Sequence, residues 1–180
     1  CNTLGVINTH QRVRVGAVGG TDPDESFIPG GATIISNSGN MVNTIASYLL
    51  SAGIGTSFGI STGKDLLILT PLSNLLALAE KDENTKVVVL YVEPGGLYET
   101  EAIKLAKSGA FTKPMVVYVA GRVLEGKSVA LGHAGAVVEG VATTASAKAK
   151  AFDEYFGIEP FDSGKRYRRS DSLEEALRRG

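Results

Sequence analysis

Lys86-Val87-Val88-Val89-Leu90-Tyr91-Val92, closed by Glu93-Pro94-Gly95-Gly96, decides the fold of this chain. An uninterrupted apolar run of strand length, rich in β-branched residues and ended by Pro and Gly, reads as a strand buried in a sheet. It shows no polar alternation, as expected of a strand covered by helices on both faces. Tyr98 to Lys107 then has the spacing of a helix. Glu93 therefore falls at the carboxyl end of a central strand, where open α/β sheets bind ligands.

The same unit recurs on both sides of this stretch. Ala32-Thr33-Ile34-Ile35-Ser36 reads as a strand, Asn37-Ser38-Gly39 as a turn, and Asn40 to Ala52 as a helix with Met41, Ile45, Tyr48 and Leu49 at helical spacing. Thr56 to Ile60 forms the next strand, Ser61-Thr62-Gly63-Lys64-Asp65 its turn, and Leu72 to Lys81 a helix after Pro71. Met115 to Ala120 gives a further strand, whose loop runs from Gly121 to Leu131, and Thr143 to Phe156 an amphipathic helix with Ala145, Ala149, Phe152 and Phe156 on its apolar face. Strand-then-helix units in series imply parallel strands with right-handed crossovers. The predicted fold is α/β: a flavodoxin-like doubly wound, mainly parallel sheet with helices on both faces. The turns at 36–39, 61–65 and 93–96 and the loop after residue 120 then share one rim.

Residues 1–30 read as an N-terminal arm and glycine-rich turn, with Gly16, Gly19 and Gly20, and residues 31–180 as the α/β domain. Ile158 to Phe161 has the character of a short edge strand, and Lys165-Arg166-Tyr167-Arg168-Arg169 is a basic run suited to a solvated loop, a phosphate or an acidic partner. Ser172-Leu173-Glu174-Glu175 has capping-box spacing and opens a final helix.

With 18 Lys+Arg against 19 Asp+Glu, the net charge of −1 provides no general field for nucleic acid or an anionic membrane. Neither a membrane span nor a signal peptide is recognisable, which points to the cytoplasm. Cys1 is the single cysteine, so no internal disulfide forms and no metal site is expected. A first residue of Cys suggests a fragment or a processed product. Gly63-Lys64 is not part of a Walker motif: Phe58 stands where the first glycine belongs and Asp65 where the hydroxyl residue belongs.

Chemistry centres on Leu131-Gly132-His133-Ala134-Gly135-Ala136. Residues this small leave the imidazole of His133 approachable, and backbone N–H groups at a helix start receive anions. A nucleophilic histidine presents one ring nitrogen while the other donates to an acceptor, a role that suits a carboxylate at a nearby strand end. Glu93 follows an apolar strand directly, so its side chain is expected at the rim, where removing its charge leaves no buried group unpaired.

Gly132-His133-Ala134-Gly135-Ala136, preceded by Lys113-Pro114, an apolar strand and Ala120-Gly121, resembles the phosphohistidine segment of the succinyl-CoA synthetase alpha subunit, ATP-citrate lyase and nucleoside-diphosphate-forming acyl-CoA synthetase family. Ser36-Asn37-Ser38-Gly39 is similar to that family's Ser-Arg-Ser-Gly turn, and Val92 to Gly96 to its Gly-Glu-Ile-Gly-Gly. Asn2 to Ile7 resembles the segment where its CoA-binding domain meets its ligase domain. The resemblance implies that His133 carries a phosphoryl group and that Glu93 orients and charges its imidazole. It also implies that Ser36, Ser38 and Gly39, with Gly95 and Gly96, hold the phosphoryl group. Coenzyme A and ATP or GTP with magnesium would be substrates bound largely outside this chain, by a CoA-binding domain preceding it and an ATP-grasp subunit or domain. A small carboxylic acid would be the acyl donor, and the assembly an oligomer.

Three departures bear on substrate. Asn37 replaces the family's arginine, residues 61–65 replace a Gly-Gly-Asp turn, and Gly16 to Gly20 lacks the polar side chains of the citrate-binding version. Loss of a bidentate arginine weakens recognition of a multiply charged acid and disfavours a tricarboxylate. The same departures support an alternative, a noncatalytic flavodoxin-like binding or regulatory module.

Overall fold

The computed structural model describes residues 3–65, 68–122, 125 and 140–158. Six strands are followed in chain order as β1 (Gly5–Asn8), β2 (Val13–Gly16), β3 (Pro29–Ser36), β4 (Thr56–Ser61), β5 (Val87–Val92) and β6 (Met115–Val119). The helices are α1 (Gly39–Ser51), α2 (Leu72–Lys81), α3 (Tyr98–Lys107) and α4 (Ala145–Phe156). They build one sheet of order β2-β1-β4-β3-β5-β6, in which β4, β3, β5 and β6 are parallel. The flavodoxin-like α/β fold expected from the sequence is the fold observed.

From β3 the chain first moves outward to β4 and then returns past β3 to β5. That reversal makes the gap beyond the carboxyl ends of β3 and β5 a topological switch point. Register places Ser36 beside Ser61 on one side and beside Tyr91 on the other, so the turns after all three strands start level.

The stretch read as an N-terminal arm contains a hairpin that extends the sheet. β1 pairs antiparallel with β4, Gly5 opposite Ser61, and β2 pairs with β1. Arg12-Val13-Arg14-Val15 alternates, but every residue of β2 is exposed, so the alternation marks no buried face. What fixes it is tertiary: Ile7 joins Val18, Phe27, Ile34, Val42 and Ala46 in a cluster beneath α1.

A larger core lies on the opposite face, where Ile35, Val88, Leu90 and Val92 meet Leu75 and Leu76 of α2, Ile103 of α3 and Phe152 of α4. At roughly 1.5–3 kcal/mol per fully buried large apolar side chain, this cluster is the main source of stability. Contrary to the sequence reading, β5 is not equally covered on its two faces. Val88, Leu90 and Val92 are buried, whereas Val87, Val89 and Tyr91 are half-buried among the described residues, with Tyr91 stacked on exposed Tyr118 at 5.7 Å.

Two helix faces also differ from expectation. α1 buries Val42 and Ala46 and leaves Tyr48 exposed, because small residues let it sit close over Gly59 of β4, where an added Cβ would lie 3.0 Å from Val42. α4 buries Ala145, Lys148 and Phe152, while Phe156 is exposed. The edge strand, basic run and final helix expected beyond Ile158 lie outside the described residues.

Candidate functional site

The rim is assembled around Asn37. Its backbone N–H donates to the Tyr91 carbonyl at 3.0 Å, and its side-chain oxygen accepts the Glu93 N–H at 2.9 Å. Its amide nitrogen donates to Thr62 Oγ1 at 3.1 Å and to the Gly63 carbonyl at 3.4 Å. One buried side chain thus ties together the turns after β3, β4 and β5. A longer, permanently charged arginine would not fit this set of partners, since it has no acceptor for the Glu93 N–H.

Ser36 and Ser38, expected to hold phosphate, also bond to each other. The Ser36 hydroxyl donates to the Ser38 carbonyl at 2.7 Å and accepts the Ser38 N–H at 3.0 Å, closing the turn into α1. The N-cap Ser38 side chain makes no capping bond to α1 among the described residues, and the first-turn N–H groups of a helix have no intrahelical partners. Gly39 is small for a packing reason: an added Cβ would lie 2.4 Å from Leu4 Cβ.

Glu93 is held from several directions. Lys64 Nζ lies 3.0 Å from Glu93 Oε2, and their side chains are 2% and 14% exposed. The expectation that the Glu93 charge could be removed without leaving a buried group unpaired is corrected here, because the partner is a buried ammonium. Lys148 of α4 donates to the carbonyls of Glu93 at 2.9 Å and Gly95 at 2.6 Å, and forms an ion pair with Glu99 at 2.8 Å. Gly95 donates its N–H to Thr143 at 2.8 Å, and Gly95 and Gly96 adopt positive φ, which a tight reversal requires.

Burial pushes the Glu99 carboxyl above its ordinary range, against the opposing pull of Lys148. A cavity of about 40 Å³ lined by Gly96, Glu99, Ile103 and Lys148 lies below the turn. It has room for water and none for a nucleotide or an acyl group.

His133 lies outside the described residues, but the described ends of its segment converge on the turn that follows Glu93. Ala120 donates to the Val92 carbonyl at 2.9 Å, and an added Cβ on Gly121 would meet Pro94 at 2.8 Å. On the return, Thr143 accepts from Gly95, and the Glu125 carboxylate accepts the Ser146 N–H at 2.6 Å at the start of α4. Hydrogen bonds from the Ser146 hydroxyl and N–H hold the Glu125 carboxyl below its usual range. His10, by contrast, lies beyond β1 at the other end of the sheet, with Nε2 2.9 Å from the Gly30 carbonyl.

Sequence reasoning missed both lysines. Lys64 stands in a polar turn and Lys148 beside other charged residues on a helix, so each reads as solvated. Only the turn's disqualification as a Walker motif drew notice to Lys64.

In a doubly wound sheet the rim at the switch point, where the turns after β3 and β5 meet, is where open α/β folds bind ligands. Residues 29–151 match the succinyl-CoA ligase like flavodoxin domain, and the chain belongs to that family. It is 38% identical over 151 residues to succinate–CoA ligase [ADP-forming] subunit alpha 1 of Archaeoglobus fulgidus, covering 83% of this chain and 49% of that protein. It is 36% identical over 137 residues to the acetate–CoA ligase [ADP-forming] of Methanocaldococcus jannaschii, covering 76% of this chain and 18% of that one. The chain thus spans about half the length, or less, of these relatives. In fold it is similar to the ATP citrate lyase of Methanothrix soehngenii solved with citrate and coenzyme A, with a TM-score of 0.77, 24% identity, and coverage of 98% of this chain and 34% of that one. A dinucleotide forming acetyl-coenzyme A synthetase 1 of Ca. Korarchaeum cryptofilum, solved with phosphate and ADP, gives a TM-score of 0.64 at 25% identity, covering 90% of this chain and 32% of that one. Among the described residues no helix is long and apolar enough to cross a membrane.

Proposed function

We propose that this chain is the ligase domain of a nucleoside-diphosphate-forming acyl-CoA synthetase that works through a phosphohistidine at His133. The observation that carries the reading is the convergence at Glu93: both described ends of the segment bearing His133 pack on the turn this carboxylate opens. Residues 36–39 and the start of α1 border the same rim. Family membership and the names of the relatives supply the reaction class.

In this reading a His133 ring nitrogen attacks the γ-phosphorus of ATP or GTP, forming an N–P bond as the bond to the nucleoside diphosphate breaks. Glu93 accepts from the other ring nitrogen and stabilises the positive charge on the imidazole. The phosphoryl group then passes to the carboxylate of a small acid. Coenzyme A thiolate attacks that acyl carbon and expels inorganic phosphate. Ser36, Ser38 and Gly39 at the start of α1, with Gly95 and Gly96 opposite, surround the phosphoryl group. The α1 dipole offsets its charge.

Nucleotide with magnesium, coenzyme A and the acid are substrates that meet this domain in an oligomer with a CoA-binding domain and an ATP-grasp subunit or domain, in the cytoplasm. Asn37 serves as a tie between turns, so its replacement of arginine removes an anion-binding charge and favours a small monoacid or diacid over a tricarboxylate. The test is acyl-CoA formation by the full-length enzyme with its nucleotide-binding partner, across a panel of acids with ATP and with GTP. Turnover of at least one small acid with release of the diphosphate is expected. Absence of synthesis from every acid, by folded enzyme, would favour the noncatalytic module.

A further inference from the structure

We propose that Lys64 is the positioning residue for Glu93: its buried ammonium fixes the rotamer of the carboxylate that orients the histidine. The proposal deepens the reading above and rests on it.

Glu93 is fixed in its backbone without Lys64. Its N–H is bound by the Asn37 side chain and its carbonyl by Lys148. Neither contact restrains the side-chain torsions that place the carboxylate, and a misplacement of about 1 Å at a catalytic group can cost on the order of a hundredfold in rate. Lys64 Nζ, 3.0 Å from Oε2, supplies that restraint. The pair is poorly suited to a purely stabilising role. A lysine side chain that is 2% exposed has given up its hydration, and buried ion pairs add little net stability compared with apolar residues of similar volume.

The turn that carries Lys64 is itself tied down, as positioning requires. Thr62 donates its backbone N–H to the Ser36 carbonyl at 2.8 Å, the Asn37 amide reaches Thr62 and Gly63, and the Tyr98 hydroxyl donates to the Asp65 carbonyl. The ammonium is therefore presented from a framework built by β3, β4 and α3. It does not hang from a mobile surface stem.

The experiment is single-turnover phosphorylation of the full-length enzyme by γ-labelled nucleotide, in a cycle of wild type, Lys64→Met, Glu93→Gln and Lys64→Met/Glu93→Gln, with Lys64→Arg as rescue. Lys64→Met should slow labelling by about tenfold or more, and Lys64→Arg should return it to within about threefold of wild type. In the Glu93→Gln background the second change should alter the rate by less than about twofold, because the carboxylate that Lys64 orients is gone. Lys64→Met alone removes the Lys64 charge from beside a largely buried carboxylate. If it does not fold, the double variant, which buries no unpaired charge, decides the matter against Glu93→Gln. Rates for Lys64→Met within about twofold of wild type, or effects of the two changes that multiply, overturn the proposal. So does a Glu93→Gln enzyme as fast as wild type. A wild-type enzyme that takes up no label removes the phosphohistidine reading and this proposal together, a result distinct from labelling that ignores Lys64.

Discussion

Glu93 and Glu99 stand on either side of one turn, each paired with a buried lysine, yet the two pairs do different work. Glu93 keeps 14% of its side chain exposed at the switch point. Glu99, 5% exposed on α3, is sealed beneath the turn, and neither carboxylate oxygen has a hydrogen bond of regular geometry among the described residues. Lys148, its partner, spends its remaining donors on the carbonyls of Glu93 and Gly95. The inner pair thus shapes the turn on which the outer pair is displayed. A buried ion pair thus supports the site through the backbone carbonyls of its turn.

The largest effect expected from this contrast is on folding. Lys148→Met strands the Glu99 carboxylate and two carbonyls, so it should destabilise the protein by about 3–5 kcal/mol in chemical denaturation. Lys148→Met/Glu99→Leu should recover a large part of that loss. If the single change is neutral, the inner pair does not carry the turn.

Glu93→Gln should slow phosphohistidine formation on the order of a hundredfold. It also leaves Lys64 buried without its counter-charge, so rates need comparison at a temperature where both proteins are folded. An exposed carboxylate of no catalytic use would give rates within about twofold of each other.

Gly39→Ala separates packing from ligand binding. The added Cβ meets Leu4 at 2.4 Å, so overpacking should cost about 1–3 kcal/mol. Because the nearest atom is the Leu4 Cβ, Gly39→Ala/Leu4→Gly should recover much of the melting temperature. A phosphorylation rate that stays low in the restored protein would show that Gly39 is needed for close approach of the ligand as well.

The smallest effect expected is in the pH dependence of stability. Burial raises the Glu99 carboxyl above 4.5, so its contribution is complete below 4.5 and declines as pH rises through the raised value. Asp82 runs the other way. Burial opposes its ionisation, but donors from Ser57, Thr85 and Asn84 together with Lys113 outweigh it and hold the carboxyl below 3.8. Its contribution is complete above 3.8 and is lost as pH falls. Wild type should therefore lose stability relative to Glu99→Gln as pH rises above 4.5. A difference that grows in favour of wild type would mean that Lys148, not burial, governs Glu99.

The parallel strands and the helices between them were legible because the apolar runs and helical spacings that define them are set by local sequence, as in residues 86–92 and 98–107. The rim was legible for the same reason, since Ser36 and Glu93 end apolar strands. The hairpin of β1 and β2 was not, because β2 is exposed along its length and its pairing depends on the edge offered by β4. Lys64 and Lys148 were hidden because charge in a turn or on a helix face reads as solvated. Only the carbonyls and carboxylates that converge on them in three dimensions account for their burial. Tyr48 erred in the opposite direction: it matched the helical spacing, but Val42 and Ala46 allow the closer approach.

Whether Glu93 serves a phosphoryl-carrying histidine is decided by labelling. The full-length enzyme, reconstituted with its nucleotide-binding partner, is incubated with γ-labelled nucleotide, digested, and the labelled peptide located. An acid-labile, alkali-stable label is expected on His133 and absent from His133→Ala. Equal labelling of the His133→Ala protein would contradict this.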